Sequence, residues 1–468
     1  MSVLGGFLMP HPPVVIPEVG MGREKESQKT VDGMREAARK IAELKPETIV
    51  LITPHGPTFT DAIAIYDEDI LAGDLGKFRA PDVKLRKDAD TALVDEIVFS
   101  CHEKNIPVAR IDDELIDRFN LSSELDHGAL VPLYFIEECY TEYQLVCISY
   151  GFLDHEMLYR FGQLIQSSAN HQEKSVVVVA SGDLSHRLKD EGPYSYHADG
   201  AVFDEKLITH FKKKEFKEIV LMDQKLCDNA GECGKRSIDI MLGAVDGYDK
   251  SVNVYSYEGP FGVGYGVVGL TGLNPNEEFE LLESIQIGKK EVLRKKLQNE
   301  DPYVRLARQA IEAVVKKDDN PKIPDLIPKE MLDQRGGTFV SIKSSGGLRG
   351  CMGTIAGTQI NIAEEIIENA IKAATGDPRF PSIEPYELPD LEISVDVLSA
   401  SEPVTDIKEL DPKVFGVIVT SGYKRGLLLP DLKGIDSIQD QLKIALNKAG
   451  INKDEDYTVE KFTVTRHY

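Results

Sequence analysis

Three histidines follow short apolar runs and stand in tight turns: His11 in Met9-Pro10-His11-Pro12-Pro13, His55 in Thr53-Pro54-His55-Gly56-Pro57, and His186 in Ser181-Gly182-Asp183-Leu184-Ser185-His186. Ligands of α/β proteins gather where strands end, and imidazole both binds metals and carries protons near neutral pH. A nonhaem Fe(II) centre that activates oxygen commonly uses two imidazoles and one carboxylate on one face, leaving adjacent positions open. His11 and His55 can supply the imidazoles. Glu258, in Tyr255-Ser256-Tyr257-Glu258-Gly259-Pro260, ends a strand-like run before a Gly-Pro turn and can supply the carboxylate. His186 is then free for proton transfer, with Asp183 three residues earlier able to orient it or join the metal shell. Taken singly, each turn histidine reads more simply as a hydrogen-bonded loop residue and Glu258 as a solvated carboxylate. Their joint placement at successive strand ends is what raises a metal site to equal standing. A bound divalent ion could equally serve hydrolysis, with His186 or Asp183 handling the proton of an activated water.

Elements that could position these residues follow from the hydrophobic pattern. The first 273 residues alternate between strand-like runs and helical periodicity. Strands are expected at Val3 to Met9, Thr48 to Thr53, Asp61 to Tyr66, Leu145 to Ser149, Ser175 to Ala180, Val252 to Tyr257 and Tyr265 to Leu270. Helical candidates fall over Val31 to Leu44 and near 88–104, 154–169, 199–213 and 234–245. This is the signature of a mixed-sheet α/β domain over 1–273. A polar, charged connector spans 274–300. From 301 to 468 the order changes to a helix over Tyr303 to Val315, a strand at Thr338 to Lys343, a Gly-rich turn, a helix over Ile360 to Ala374, strands at Leu391 to Leu398, Val414 to Thr420 and Leu427 to Leu429, a helix at Ser437 to Ala449 and a last strand at Tyr457 to Thr465. That order fits a separate α+β domain.

The chain has 468 residues, 54 Lys and Arg against 78 Asp and Glu, and a net charge of -24. Such an acidic balance opposes nonspecific attraction to phosphate backbones and anionic lipid, so nucleic acid and membrane surfaces are not the expected partners. Six cysteines without CxxC spacing argue against an iron–sulfur cluster or zinc ribbon in this polypeptide and fit a reducing cytoplasm. No apolar run approaches the roughly 20 residues that span a bilayer. Gly264-Tyr265-Gly266-Val267-Val268-Gly269 matches a dinucleotide fingerprint formally, but it lies inside a strand-like run with no helix to follow. His102, His155, His171, His197 and His210 are embedded in helical or polar stretches and read as surface or packing residues.

In the second half the sharpest string is Leu348-Arg349-Gly350-Cys351-Met352-Gly353-Thr354, preceded by Ser344-Ser345-Gly346-Gly347. Arg349 could lower the pKa of the Cys351 thiol, but a nucleophile needs a positioned base, and nothing in the sequence places His467 there. A structurally constrained cysteine is the better reading. Asp377 and Arg379, in Gly376-Asp377-Pro378-Arg379-Phe380-Pro381-Ser382, can form a turn-stabilising ion pair or bind a ligand.

The HPP and PHGP turns, Asp126-His127-Gly128 followed by Val131-Pro132-Leu133, the GDLSH segment and the late YEGP segment occur in an order that resembles LigB-like class III extradiol dioxygenases, whose fold includes the Memo family. The resemblance implies that His11, His55 and Glu258 are iron ligands, His186 the acid/base and His127 a substrate-pocket histidine, with a small aromatic substrate. It makes Fe(II) the expected cofactor, with Cu or Zn as alternatives. Memo relatives keep the Asp-x-x-His segment, matched by Asp183 and His186, and have a cysteine near the late carboxylate position. Glu258 there makes this chain look closer to the dioxygenases. The Memo branch also implies an alternative, a noncatalytic metal- or peptide-binding module. Leu348 to Ile355, Gly376 to Ser382 and Leu391 to Ser399 resemble the AMMECR-one family, in which Arg349, Cys351, Asp377 and Arg379 would line the most distinctive surface. The combination resembles the fused protein of the AmmeMemoRadiSam system, which implies a metal-dependent oxidoreductase-like role beside a separate radical S-adenosylmethionine enzyme.

Overall fold

The computed structural model describes residues 2–192, 194–298, 300–317, 323–324, 327–344, 347–388, 391–432, 435, 437–452 and 455–468. Ser345 and Gly346 of the Gly-rich string lie outside them. By internal contacts the chain divides into two units, Met1–Lys290 and Glu291–Tyr468. The division falls within the helix Leu282–Gln298, part of the stretch expected as a connector.

In the first unit, strands β1 (Val3–Met9), β2 (Thr48–Thr53), β3 (Ile63–Tyr66), β4 (Ile70–Leu75), β5 (Ala80–Asp88), β6 (Val108–Ile111), β7 (Gln144–Ser149), β8 (Val176–Ser181), β9 (Tyr248–Glu258) and β10 (Tyr265–Pro275) are joined mostly by helices. Eight of them form one mixed sheet in the order β6-β3-β7-β2-β8-β1-β10-β9, while β4 and β5 pair separately as a hairpin. The four central strands β7, β2, β8 and β1 are mutually parallel. Every residue of β2 and β8 is buried, because helices cover both faces of a parallel sheet. Those strands therefore read as unbroken apolar runs, Thr-Ile-Val-Leu-Ile-Thr and Val-Val-Val-Val-Ala-Ser.

Helix Gln28–Leu44 shows how a face is chosen: Val31, Met34, Ala38 and Ile41 recur at helical spacing and are buried against Phe7, Ile49 and Val267 in one of the two core clusters. Fully burying one such large aliphatic chain contributes about 1.5–3 kcal/mol. On the opposite face, helices His155–His171 and Lys235–Ala244 place Phe161, Ile165, Ile238 and Met241 in the other cluster. The formal dinucleotide fingerprint lies in and beside β10, paired antiparallel with both β1 and β9, so its glycines serve sheet packing.

The second unit holds β11 (Thr338–Ser344), β12 (Gly347–Gly353), β13 (Leu391–Leu398), β14 (Glu402–Pro403), β15 (Gly416–Ser421), β16 (Lys424–Leu428), β17 (Thr458–Phe462) and β18 (Val464–His467). They form two four-stranded sheets, β12-β11-β13-β18 and β14-β17-β15-β16. Helices Pro302–Lys316 and Ile362–Thr375 share the core of the first, and Ile438–Ala449 that of the second. One expectation is corrected. The Gly-rich segment Gly347–Gly353 is an edge strand and not a turn. Its glycines serve close packing: a side chain at Gly350 would begin 2.2 Å from the Ala373 carbonyl, and one at Gly353 would strike the Phe339 ring.

Candidate metal centre

Because β1, β2 and β8 are adjacent and parallel, their C-terminal ends open on the same side, and the loops leaving them carry His11, His55 and the Asp183–His186 segment. His11 and His55 bring their Nε2 atoms to 3.0 Å, and Cys233 Sγ lies 3.6 Å from His11 Nε2. These three ligand atoms all fall within 4.8 Å of one another. His186 Nε2 stands 3.8 Å from the same sulfur, and Asp183 Oδ2 4.0 Å from His11 Nε2.

The hydrogen bonds behind His11 fix its role. Ser181 Oγ donates its proton to the Gly128 carbonyl, so it accepts from His11 Nδ1, 2.9 Å away. His11 is therefore protonated on Nδ1 and turns the lone pair of Nε2 toward the cluster, the tautomer a metal ligand needs. Its backbone N–H donates to Asp183 Oδ1 at 2.9 Å, which ties the loop after β1 to the loop after β8.

Cys233 arrives from elsewhere. It precedes helix Lys235–Ala244 and is drawn in by two glycines: a side chain on Gly182 would begin 2.2 Å from the Gly234 Cα. That contact lets the Asp183 N–H donate to Cys233 Sγ at 3.3 Å and the Cys233 N–H to the Asp183 carbonyl. Sequence reasoning missed Cys233 because no strand precedes it. The paired glycines in Gly231-Glu232-Cys233-Gly234, together with the cysteine that the Memo resemblance offers in place of the late carboxylate, are signals that could have pointed to it.

Glu258 is the complementary finding. The structure does not bring it into the cluster: Thr30 N–H and Thr30 Oγ1–H both donate to its Oε1 at 2.7 Å. Thr30 lies in the first turn of helix Gln28–Leu44, where backbone donors lack helical partners and a carboxylate is favoured. Glu258 ends β9 at the same edge as the histidine turns, but β9 is the outermost strand, with β10 between it and β1.

His127 opens helix His127–Glu137, whose N-cap Asp126 accepts the Gly128 and Ala129 N–H groups. Its ring stacks on His55, with centroids 4.2 Å apart, and meets Phe78 at 5.1 Å. Tyr194 stacks on His186 at 5.6 Å. Burial lowers the pKa of His11, His55 and His186 and takes His127 down to about 4, with the neighbouring imidazoles adding to the shifts of His11, His127 and His186. Burial likewise pushes Asp183 up to about 7 and raises the Cys233 thiol. The pocket is thus lined by donors that resist carrying charge of their own, an environment that rewards a bound cation.

The second-unit residues meet in pairs. Arg349 forks onto Glu387 at 2.7 and 2.9 Å and also donates to the Pro381 and Ser382 carbonyls. Its guanidinium is thereby committed, and the expected assistance to the Cys351 thiol is not what the contacts show. Asp377 and Arg379 form a bidentate pair. Together they clasp one residue of the edge strand: Asp377 Oδ2 accepts the Cys351 N–H at 2.9 Å, and Arg379 donates to the Cys351 carbonyl at 3.2 Å. His467 stacks on Tyr303 and pairs with Asp301.

The family model for the catalytic LigB subunit of aromatic ring-opening dioxygenase matches residues 5–268, more than half of the chain. The chain belongs to the LigB family. A second family, AMMECR1, matches 304–467, so the chain is a fusion of a LigB unit and an AMMECR1 unit. A Clostridium acetobutylicum protein is 44% identical over 468 residues, spanning 100% of this chain and 99% of its own. A Thermotoga maritima protein is 49% identical over 170 residues, 36% of this chain and 98% of its own. Among solved structures, an uncharacterized Pyrococcus horikoshii protein is 32% identical, covers 35% of this chain and 88% of its own, and has a TM-score of 0.33. In the LigB unit, two imidazoles and the cysteine sulfur offer an N2S donor set, which fits a transition-metal ion. No helix among the described residues is long and apolar enough to cross a membrane.

Proposed function

We propose that the LigB unit is a metal-dependent oxidoreductase-like enzyme whose ion is held by His11, His55 and Cys233. The carrying observation is the convergence of these three donors, with His11 locked by Ser181 in the tautomer that offers Nε2. Glu258, expected as the carboxylate ligand, is assigned instead to the helix start at Thr30. Replacing a carboxylate by a thiolate shifts the preferred ion from Fe(II) toward Zn or Cu, since sulfur is the softer donor.

A bound ion would polarise a substrate oxygen or activate water. The residues around it divide the remaining work. His186, neutral at pH 7 because burial lowers its pKa, can accept a proton at Nε2 beside the sulfur. Asp183, with its carboxyl near 7, positions His11 through the backbone bond and can share that proton. His127 and Phe78 on one side, and Tyr194 on the other, form ring surfaces against which a flat substrate would stack. The family match supports a small aromatic substrate, and the fusion to an AMMECR1 unit is what supports cooperation with a separate radical enzyme.

Metal analysis of full-length protein purified without oxygen tests this reading, with variants His11→Ala, Cys233→Ser and Glu258→Gln alongside. The first two should lose the ion and the third should keep it. Oxygen uptake with a catechol panel after Fe(II), Cu or Zn loading then tests the chemistry: no substrate-dependent uptake with any ion would remove the oxygenase reading and leave hydrolysis or binding.

A further inference from the structure

His155 is one of the histidines embedded in a helical stretch, and the metal centre makes no use of it. It opens the helix His155–His171 and keeps 18% of its side chain exposed beside two charged side chains that keep none, Lys235 and Asp239. Its Nδ1 lies 2.5 Å from Asp239 Oδ2 and its Nε2 2.7 Å from Gln224 Oε1. The Gln224 amide is oriented by its other end, where Nε2 donates to Asp228 Oδ1 at 2.8 Å. Both ring nitrogens of His155 therefore face oxygen acceptors, and satisfying both takes both ring protons.

Removing either proton leaves a specific mismatch. A ring that keeps only Nε2–H turns the Nδ1 lone pair on a carboxylate oxygen, and one that keeps only Nδ1–H turns the Nε2 lone pair on the Gln224 carbonyl. Gln224 cannot present its NH2 group instead without giving up Asp228. Lys235 cannot make up the loss at Nδ1: Nζ donates to the two Asp239 oxygens at 2.6 and 2.7 Å and to the Val220 carbonyl at 3.5 Å, which uses its three protons.

The partners of His155 stand on either side of Cys233. Gln224 starts the helix Gln224–Ala230, Lys235 and Asp239 belong to the helix Lys235–Ala244, and the segment Gly231-Glu232-Cys233-Gly234 joins the two. One ring thus grips both helices that carry the proposed sulfur ligand. Other charges near the ring are Glu232, which accepts the Lys235 N–H at 2.6 Å, Arg236 beside Glu232, and on its own helix end Asp154 and Glu156, both paired with Lys289.

We propose that His155 is a proton-operated latch on the Cys233 segment: with both ring protons it ties the flanking helices together, and losing one as pH rises lets go of one of them. The consequence for metal binding rests on the reading of Cys233 as a ligand, but the latch itself does not. Protonation of the ligands weakens metal binding at low pH, whereas the latch tightens the sulfur-bearing segment there, so the two effects have opposite signs.

Hydrogen exchange read by mass spectrometry on the metal-free full-length protein tests the latch over about pH 5 to 8, the range in which histidines titrate. After correction for intrinsic exchange rates, protection across 224–239 should fall by about tenfold as pH rises, and protection of the helix Gln28–Leu44, on the other face of the sheet, should not. Gln224→Ala is the gentler variant, because position 224 is exposed and a ring left with Asp239 alone needs one proton only. It should hold protection at the parent's high-pH level throughout, and His155→Gln should do the same. In Co(II) titrations the parent should bind about tenfold more tightly than Gln224→Ala at the low end of the range and equally at the high end. A step absent from the parent, of opposite sign, or retained in either variant would overturn the proposal, as would Co(II) binding that is equal in parent and Gln224→Ala at every pH. A step that vanishes in both variants of a protein that binds no Co(II) would leave the latch standing and sink the metal reading instead.

Discussion

Cys233 in the LigB unit and Cys351 in the AMMECR1 unit are both half-buried thiols beside an aspartate, yet their neighbours do opposite things. Around Cys351 the polar groups satisfy one another: Arg349 takes Glu387, Arg379 takes Asp377, and that pair closes over the backbone of the edge strand. Ser341 donates to the sulfur at 3.3 Å, and the Arg379 guanidinium also interacts with it. Around Cys233 the side chains converge on the sulfur, with imidazole nitrogens of His11 and His186 turned toward it. A distinctive sequence string is therefore no measure of chemistry. What distinguishes a reactive pocket is donors held in place but not yet used, and the Arg379–Asp377 clasp shows how a similar set of residue types protects a strand edge.

Substitutions can sharpen the contrast. Gly182→Ala should have the largest effect, because its Cβ would overlap the Gly234 backbone. A loss of about 3 kcal/mol in urea unfolding is expected, together with weakened metal retention as Cys233 is pushed from His11. Asp377→Ala should cost about 2 kcal/mol by stranding the Cys351 N–H and freeing Arg379, while leaving metal content unchanged. If metal content fell with it, the separation of the two sites would be broken.

Asp204 gives a pH test. It accepts the Ser185 N–H and the Tyr257 hydroxyl in the interior, and burial pushes its carboxyl up to about 7. The raised value means the folded state holds a proton that the unfolded chain releases. Its stabilising effect is full below the unfolded value near 4 and is lost as pH rises through about 7, with a slope of at most about 1.4 kcal/mol per pH unit. Asp204→Asn should remove that component, so the difference in urea stability between variant and parent shifts in the variant's favour from about pH 4 to about pH 7. A constant difference would refute the assignment. Cys351→Ala should be mildest, costing about 1 kcal/mol or less, since only weak contacts of the thiol with Ser341 and Arg379 are lost.

The large sheet was legible because buried parallel strands are unbroken apolar runs: β1 and β2 match their expected limits, the alternating antiparallel strand β13 of the second unit does so too, and the helices near 91–103 and 155–171 lie where their periodicity put them. The β4–β5 hairpin was not read, since Arg86, Lys87 and Asp88 give it a mostly polar, half-exposed pattern. At the site, His11, His55, Asp183 and His186 could be read because each leaves a strand end. Glu258 obeys the same local rule but belongs to an edge strand, and strand order is not written in the spacing. Cys233 depends on a glycine–glycine contact between segments 50 residues apart, which no local pattern reports.

The central claim is that sulfur from Cys233, and not oxygen from Glu258, completes the ligand set. Loading the full-length protein with Co(II) and recording its near-ultraviolet spectrum tests that bond directly, because a thiolate ligand gives an intense sulfur-to-cobalt charge-transfer band. The band should be present in the parent and in Glu258→Gln and absent from Cys233→Ser. A spectrum with the band missing from the parent, or one lost in Glu258→Gln and retained in Cys233→Ser, would contradict the account.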